Sequence, residues 1–333
     1  MEGRREMPGY GFNFQWLYST RTAPAGPDER ALDAIASWGF DFVRLPTDYR
    51  LWSVGGDPMR PDETVLQLID DVLHACRTRG LHLSLNLHRA PGYIITGWET
   101  EPYNLWADEP AQDAFVAVWT RFAERYRGVP GTALSFDLVN EPPALGLRGF
   151  TRAAHEAVIR RTVAAVQAVH PDRPIVIDGL DGGNLAMPEL ADLPVTQSVR
   201  GYQPMSVSHY RAPWWPGHTG LPAPSYPVRY EGRWWDRDGL REFYTPWRSL
   251  EAAGVPVHVG EFGCYELTPD DVARAWFADL LAVFAEFGWG CALWEFEGPF
   301  GLIGHRRPGA TFEKRDGYLV DVALLELLRG ART

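Results

Sequence analysis

Strand-like runs and helix-spaced runs alternate along this chain until eight strands have been counted, and no linker or low-complexity stretch interrupts the series. A parallel sheet with helical crossovers demands that alternation, and a count of eight points to an α/β fold, a closed (β/α)8 TIM barrel forming a single domain over residues 1–333. Strands are expected at 9–16, 40–45, 81–88, 133–140, 175–178, 205–209, 257–261 and 290–294. The third is the plainest, with Leu83, Leu85 and Leu87 alternating against polar residues. Helices are expected from Pro27-Asp28 to Gly39, at 65–79 closed by Gly80, and at 111–126, 151–169, 240–253, 269–287 and 322–329. Thr268 reads as the N-cap of the helix at 269–287, with Asp270 and Asp271 in its first turn. The stretch after the fifth strand is poorly helical, and a long loop at about 210–238 follows the sixth. A doubly wound open sheet also alternates, but no glycine-rich phosphate loop follows the first strand, which weakens a nucleotide-binding reading.

Charge narrows the partners. With 32 basic and 43 acidic residues the net charge is −11, which argues against nucleic acid and against an anionic membrane surface. No apolar run is long enough to span a bilayer, so no membrane is expected as a partner. The first residues are charged and lack the apolar centre of a signal peptide; the expectation is a cytoplasmic chain as written, or a secreted one if a leader has been removed. Cys76, Cys264 and Cys291 show neither disulfide nor metal spacing, and Cys264 and Cys291 read as small buried residues. The strand-end histidines and glutamates lack spacings such as His-x-His or His-Glu-x-x-His, so neither a metal nor another cofactor is expected.

In such a barrel the functional groups gather at the carboxyl ends of the strands. Those ends carry Arg44, His88, Asn140-Glu141, His209-Tyr210, Glu261 and Trp294. Two carboxylates delivered from distant strands to one end are what a retaining glycosidase needs, one as acid and base and the other as nucleophile. A cation such as Arg44 beside one carboxylate would keep it ionised, and the charge of that carboxylate would raise the pKa of its neighbour. The chain also holds 14 tryptophans; some must sit in the core, but clusters in loops are different. Trp214-Trp215 and Trp234-Trp235, which flank a stretch rich in Pro, Gly and Tyr, either offer flat faces to sugar rings or fasten the long loop to the barrel. Asp48, Tyr49, Trp52, Trp98 and Tyr103 lie in loops on the same face, Asp178 and Asp181 follow the fifth strand, and Glu295 and Glu297 follow Trp294. For these a structural bond is the readier explanation. His305, Arg306 and Arg307 read as surface residues.

Taken in order, Val43-Arg44-Leu45-Pro46, His88-Arg89-Ala90-Pro91-Gly92-Tyr93, Asn140-Glu141-Pro142, Gly260-Glu261-Phe262-Gly263 and Trp294 resemble the signatures of glycoside hydrolase family 5, over nearly the whole chain. The resemblance implies that Glu141 is general acid and then base, that Asn140 binds the substrate 2-hydroxyl, and that Glu261 is the nucleophile with Arg44 holding it ionised. It implies that His88 and His209 bind the sugar or tune the carboxylates, and that Trp294 forms the platform under the sugar at the −1 subsite. An oligo- or polysaccharide is then the expected partner, and cleavage of a β-glucan or related β-linked saccharide the expected reaction. The alternatives are an exo-acting β-glucosidase- or β-mannanase-type enzyme of the same family, or a silent carbohydrate-binding barrel. One departure stands out: many members carry a tyrosine two residues after the sixth-strand histidine, contacting the nucleophile. Here Arg211 occupies that place, and either a local bulge brings Tyr210 round or another tyrosine replaces it.

Overall fold

The computed structural model of the protein describes residues 9–332. Eight parallel strands close into a barrel in simple sequence order. They are β1 Tyr10–Asn13, β2 Phe42–Asp48, β3 His82–Arg89, β4 Leu134–Asp137, β5 Ile175–Asp178, β6 Val195–Gly201, β7 Val257–Phe262 and β8 Cys291–Leu293. Seven longer helices pack outside: α1 Glu29–Ser37, α2 Glu63–Thr78, α3 Glu109–Arg125, α4 Arg152–Val169, α5 Arg237–Ala252, α6 Asp270–Phe287 and α7 Val322–Gly330. None of the helices described is long and apolar enough to cross a membrane.

The strand pattern follows from burial on both faces. Along β3 the leucines Leu83, Leu85 and Leu87 join the apolar layer under the helices, and the intervening His82, Ser84, Asn86 and His88 take the opposite face. That inner face is polar and partly paired: His82 bonds Ser135 at 2.9 Å and Asn86 donates to the Asp137 carbonyl at 3.2 Å, while Asn86 Oδ1 and His88 Nδ1 have no partner among the described residues. Phe42 of β2 meets His258 of β7 across the lumen with ring centroids 4.8 Å apart. Close approach fixes at least one residue type. A Cβ on Gly11 would sit 1.7 Å from the Phe42 carbonyl oxygen, so only glycine lets β1 lie that near β2.

Most of these helices begin where an acidic or hydroxyl side chain caps them. Asp28 accepts from Arg30 N and Ala31 N, Asp62 from Thr64 N, Thr151 from Ala154 N and Asp321 from Leu324 N. Thr268 does not cap α6. Pro269 holds the cap position, and the Thr268 hydroxyl donates instead to the Val207 carbonyl at 2.7 Å, tying the helix start to the loop after β6.

The sixth strand departs from the sequence reading. It is Val195–Gly201, whereas Met205–Ser208, expected as strand, is a helical turn ending at His209. The true strand reads Val-Thr-Gln-Ser-Val-Arg-Gly, and its polar lumen-facing residues hide it from a search for apolar runs. Between β5 and β6 there is only the irregular turn Leu180–Gly183 and a short 3-10 turn, Pro188–Leu190. The segment after β6 carries a two-stranded ribbon, Val228–Tyr230 with Arg233–Trp235. The three cysteines are free and buried. His305 and Arg307 are buried, not superficial: His305 lies 3.2 Å from Asp321, and Arg307 donates to the Cys264 carbonyl at 2.9 Å, while Arg306 is exposed.

Candidate active site

Two arginines organise the carboxyl end of the barrel. Arg44 of β2, 1% exposed, donates through Nε to Asp137 at 2.6 Å, through Nη1 to Glu261 at 2.5 Å and to Asn13 at 3.1 Å, and through Nη2 to Asn140 at 3.0 Å. Arg200 of β6 is equally buried. Its Nε donates to Glu141 Oε1 at 2.8 Å, its Nη1 to Asp178 and to Ser198 at 3.0 Å each, and its Nη2 to Asn140 at 2.9 Å and to the second oxygen of Asp178. Nη2 also lies 3.3 Å from Glu261 Oε1. Strand register brings this about, because Arg200 pairs with Glu261 across β6 and β7.

Glu141 sits just beyond β4, where Leu138 N still bonds Val176 O and Asn140 N still bonds Leu87 O, so the strand ladder carries the residue to the rim. Its φ of 48° is in the left-handed region, a conformation that costs a glutamate of order 1–3 kcal/mol and needs outside support. The support is there on both sides of the residue. Glu141 N donates to Asp178 at 3.0 Å, and the Glu141 carbonyl accepts the Tyr93 hydroxyl at 2.5 Å. The Glu141 side chain keeps 17% exposure against 4% for Glu261, so a molecule entering from the rim can reach it. Glu261 Oε1 takes Arg44, and Oε2 takes the Tyr202 hydroxyl at 3.0 Å.

The electrostatics separate the two carboxyls. Burial, with the charge of Glu261 added, raises Glu141 to about 7 against the opposing pull of Arg200. Burial alone would raise Asp178 too, but the charges of Arg200 and Arg44 outweigh it and hold that carboxyl below its usual range. His88 is held far below the ordinary histidine range by burial and then by the two arginines, so its ring is neutral. Burial does the same to His209, down to about 3. Asn140 Oδ1 accepts from both arginines, while its buried Nδ2 has no partner among the described residues, leaving a donor with nothing yet to bond.

The other sequence candidates divide. His88 lies against Trp294 with centroids 5.4 Å apart and an interplanar angle of 24°, and both rings meet Tyr18 edge-on. His209 does not end a strand; it packs edge-on against Tyr202 at 5.0 Å with its Nδ1 on Ser208. Tyr210 makes no bond to Glu261; its ring lies 5.9 Å from the guanidinium of the exposed Arg211. Tyr202 makes the contact that Tyr210 was expected to make. Once β6 is placed correctly, Tyr202 follows Arg200 by two residues, so Arg200 stands where the resemblance calls for a histidine. Trp98 is buried, donating to the Gly92 carbonyl, and Trp235 is buried, donating to the Tyr230 carbonyl; both serve the architecture. Trp234 is exposed on the ribbon and bonds Asp236. Trp214 and Trp215 do adjoin the site: Trp214, half exposed, meets Tyr265 and Phe300, Phe300 packs on His209 and Tyr202, and Trp215 meets His209. Glu295 is buried and raised to about 8 by that burial, with Gln15 and the Phe300 N–H donating to it, whereas Glu297 and Asp181 are exposed.

Arg200, Tyr202, Asp137 and Tyr18 were not anticipated. The Tyr-two-residues-on spacing points to the first two once the sixth strand lies at Val195–Gly201. Among the described residues no group of three or more His, Cys, Asp or Glu is arranged to hold a metal ion.

Known proteins share this arrangement of strands. The family model for cellulase (glycosyl hydrolase family 5) matches residues 6–298. Cellodextrinase A of Ruminococcus flavefaciens is 25% identical over 283 residues, covering 84% of this chain and 81% of the relative. Endoglucanase C of Acetivibrio thermocellus is 25% identical over 303 residues, covering 81% and 83%. A crystal structure described as a glycoside hydrolase superposes with a TM-score of 0.96 at 53% identity, covering 98% of this chain and all of that one. Thermotoga maritima Cel5A, solved with mannotriose substrate, superposes with a TM-score of 0.79 at 20% identity over 98% of each chain, a likeness of fold.

Proposed function

The chain belongs to the cellulase family, glycosyl hydrolase family 5, and from that premise we propose that it is a retaining hydrolase of β-glycosidic bonds in a β-glucan or a related β-linked saccharide. The observation that carries this reading is a pair of carboxyls on one buried guanidinium, Glu141 raised to about 7 and Glu261 gripped by Arg44 and Tyr202. Two carboxyls on one planar fork are close neighbours. That favours the retaining spacing of roughly 5–5.5 Å over the roughly 6.5–9.5 Å that an inverting enzyme needs to seat a water.

The reaction follows from the geometry. A Glu261 oxygen bonds to the anomeric carbon as the glycosidic C–O bond breaks, and the departing oxygen takes the proton of Glu141. Water then attacks the same carbon, its proton passes to Glu141, and the Glu261 ester bond breaks with net retention. The free Asn140 Nδ2 is placed to donate to a sugar hydroxyl, and half-buried Trp294, backed by His88, offers a ring face beneath the sugar. The names of the curated relatives, a cellodextrinase and an endoglucanase, support a β-glucan substrate.

The test is a panel of β-glucan, mannan, xylan and aryl β-glycosides, with the first-formed anomer read by NMR and product sizes recorded. The β-anomer is expected first; the α-anomer would overturn the retaining mechanism, and a folded protein inert on the whole panel would favour a silent binding barrel. Long and mixed products would mark endo action, and a single short product exo action. Because Glu141 must enter the first step protonated, kcat/KM on an unactivated glycoside is expected to fall as pH rises through about 7. A profile flat to pH 9 would contradict that assignment. Tyr202→Phe removes a hydrogen bond to Glu261, worth about 1.5–3 kcal/mol, so kcat is expected to drop roughly ten- to a hundredfold and the melting temperature to fall by a few degrees.

A further inference from the structure

We propose that Arg200 is a positioning residue that makes Glu141 an effective base in the second half-reaction, by holding a cation against Glu141 that Glu261 no longer shares once it is esterified. The proposal rests on the retaining reading above.

Arg200 is a built feature. Asp178 grips its fork at two points from β5, and Ser198 accepts from it on its own strand. Two glycines make room for it. A Cβ on Gly183 would sit 2.4 Å from Arg200 Cγ, and one on Gly260 would sit 3.0 Å from its Nη1 and 2.5 Å from Ser198 Oγ. The clamp leaves Nε one acceptor, Glu141 Oε1, at 2.8 Å. Glu261 Oε1 lies farther away, 3.3 Å from Nη2, and already takes Arg44 at 2.5 Å. Arg200 is therefore the direct partner of the acid/base and the secondary partner of the nucleophile.

The two half-reactions ask opposite things of Glu141. It must hold a proton while Glu261 is ionised and release it when Glu261 is an ester. While Glu261 is charged, the cation clamped by Asp178 is shared between Glu141 and Glu261 as well, and the repulsion of these neighbours favours a protonated Glu141. Esterification removes the charge of Glu261, and the fixed cation beside Nε then favours ionised Glu141. An arginine keeps its charge through any working pH, which a histidine in this buried place would not. The charged groups facing Glu141 are Arg200 from β6, Glu261 from β7 and Asp178 from β5. The neighbouring phenols Tyr18, Tyr93 and Tyr202 are kept neutral by burial.

The test compares Arg200→Gln, which removes the charge but keeps an amide donor for Asp178, with Arg200→Lys, which keeps the charge. The substrate is a dinitrophenyl β-glycoside that the wild type turns over. Its leaving group needs no acid, so kcat reports hydrolysis of the glycosyl-enzyme, and its acid limb reports ionisation of Glu141 in that intermediate. Arg200→Gln is expected to move the acid limb of kcat upward by roughly one to three pH units. Azide, which needs no base, is expected to restore turnover below the limb, and Arg200→Lys should leave the limb near the wild-type position. An acid limb unmoved in Arg200→Gln, or moved equally in Arg200→Lys, would overturn the proposal and leave Arg200 a structural residue. Should Arg200→Gln fail to fold with Asp178 unpaired, Arg200→Gln is placed on Asp178→Asn and compared with Asp178→Asn alone, since Asp178 itself raises Glu141, and the limb is expected to lie higher in the double variant by the same roughly one to three pH units. Failure of the retaining reading would show separately, in the wild type, as an inverted product with no glycosyl-enzyme burst.

Discussion

Glu261→Ala is expected to lower hydrolysis of every glycoside by roughly four orders of magnitude or more, the scale on which enzymes lose rate when a protein nucleophile is removed. The fold should survive. Arg44 loses one partner but keeps Asp137, Asn13 and Asn140, so its charge remains compensated in the lumen. The vacated space lies between the Arg44 guanidinium and the Tyr202 hydroxyl, a cation and a neutral donor aimed at one point. A small anion such as azide or formate fits that cradle. With azide and an activated β-glycoside the variant is expected to form the α-glycosyl azide, a single inverting displacement from the face that Glu261 leaves open. NMR of the product identifies the anomer. Hydrolysis at more than about a hundredth of the wild-type rate, with the variant folded, would remove Glu261 from the nucleophile's role.

What could be read from the sequence depends on which face of a strand carried the signal. β3 was legible because its outward residues are leucines in strict alternation, and the polar residues between them gave the period rather than obscuring it. β6 has the same inside-out plan but weaker outward residues, Val195, Gln197 and Val199 among Thr, Ser and Arg, so its polar lumen face made it look like loop. Four residues later Met-Ser-Val-Ser alternates like a strand and is a helical turn, because Pro204 caps it and its carbonyls close on His209 and Ser208. That single displacement concealed both Arg200 and Tyr202. Glu141 and Glu261 escaped the problem, since each ends a short run with Leu, Phe or Val at alternate places, a modest signal alone that the pair strengthened. Burial of polar side chains was the other blind spot. Nothing near Arg307 in sequence announces the Cys264 carbonyl that receives it, just as nothing near Asp137 announces Arg44. Among the tryptophans, the sequence left the loop clusters open between sugar contact and fastening the loop, and only the fold separates Trp235 and Trp98, which donate to backbone carbonyls, from Trp214, which faces outward beside Phe300.

Glu141→Ala is expected to behave differently, and the contrast distinguishes the two carboxyls. The acid matters most where the leaving group is a sugar hydroxyl, so hydrolysis of a β-glucan or oligosaccharide should fall by roughly 10²–10⁴-fold. A dinitrophenyl β-glycoside leaves without a proton, so its first step should stay fast while the second, now without a base, slows. The glycosyl-enzyme should accumulate and be visible as a burst of phenolate and as added mass on the protein. The alkaline decline in kcat/KM through about pH 7 should disappear, because the group that titrates there is gone. Azide should restore turnover of the activated substrate, and here its product should be the β-glycosyl azide, formed by two displacements through Glu261. Arg200 keeps Asp178, Ser198 and Asn140 in this variant, so the loss is chemical and not a collapse of the charge cluster. An α-azide from Glu141→Ala, or a β-azide from Glu261→Ala, would exchange the two roles. Equal losses on activated and unactivated substrates would mean that Glu141 shapes the site without transferring the proton.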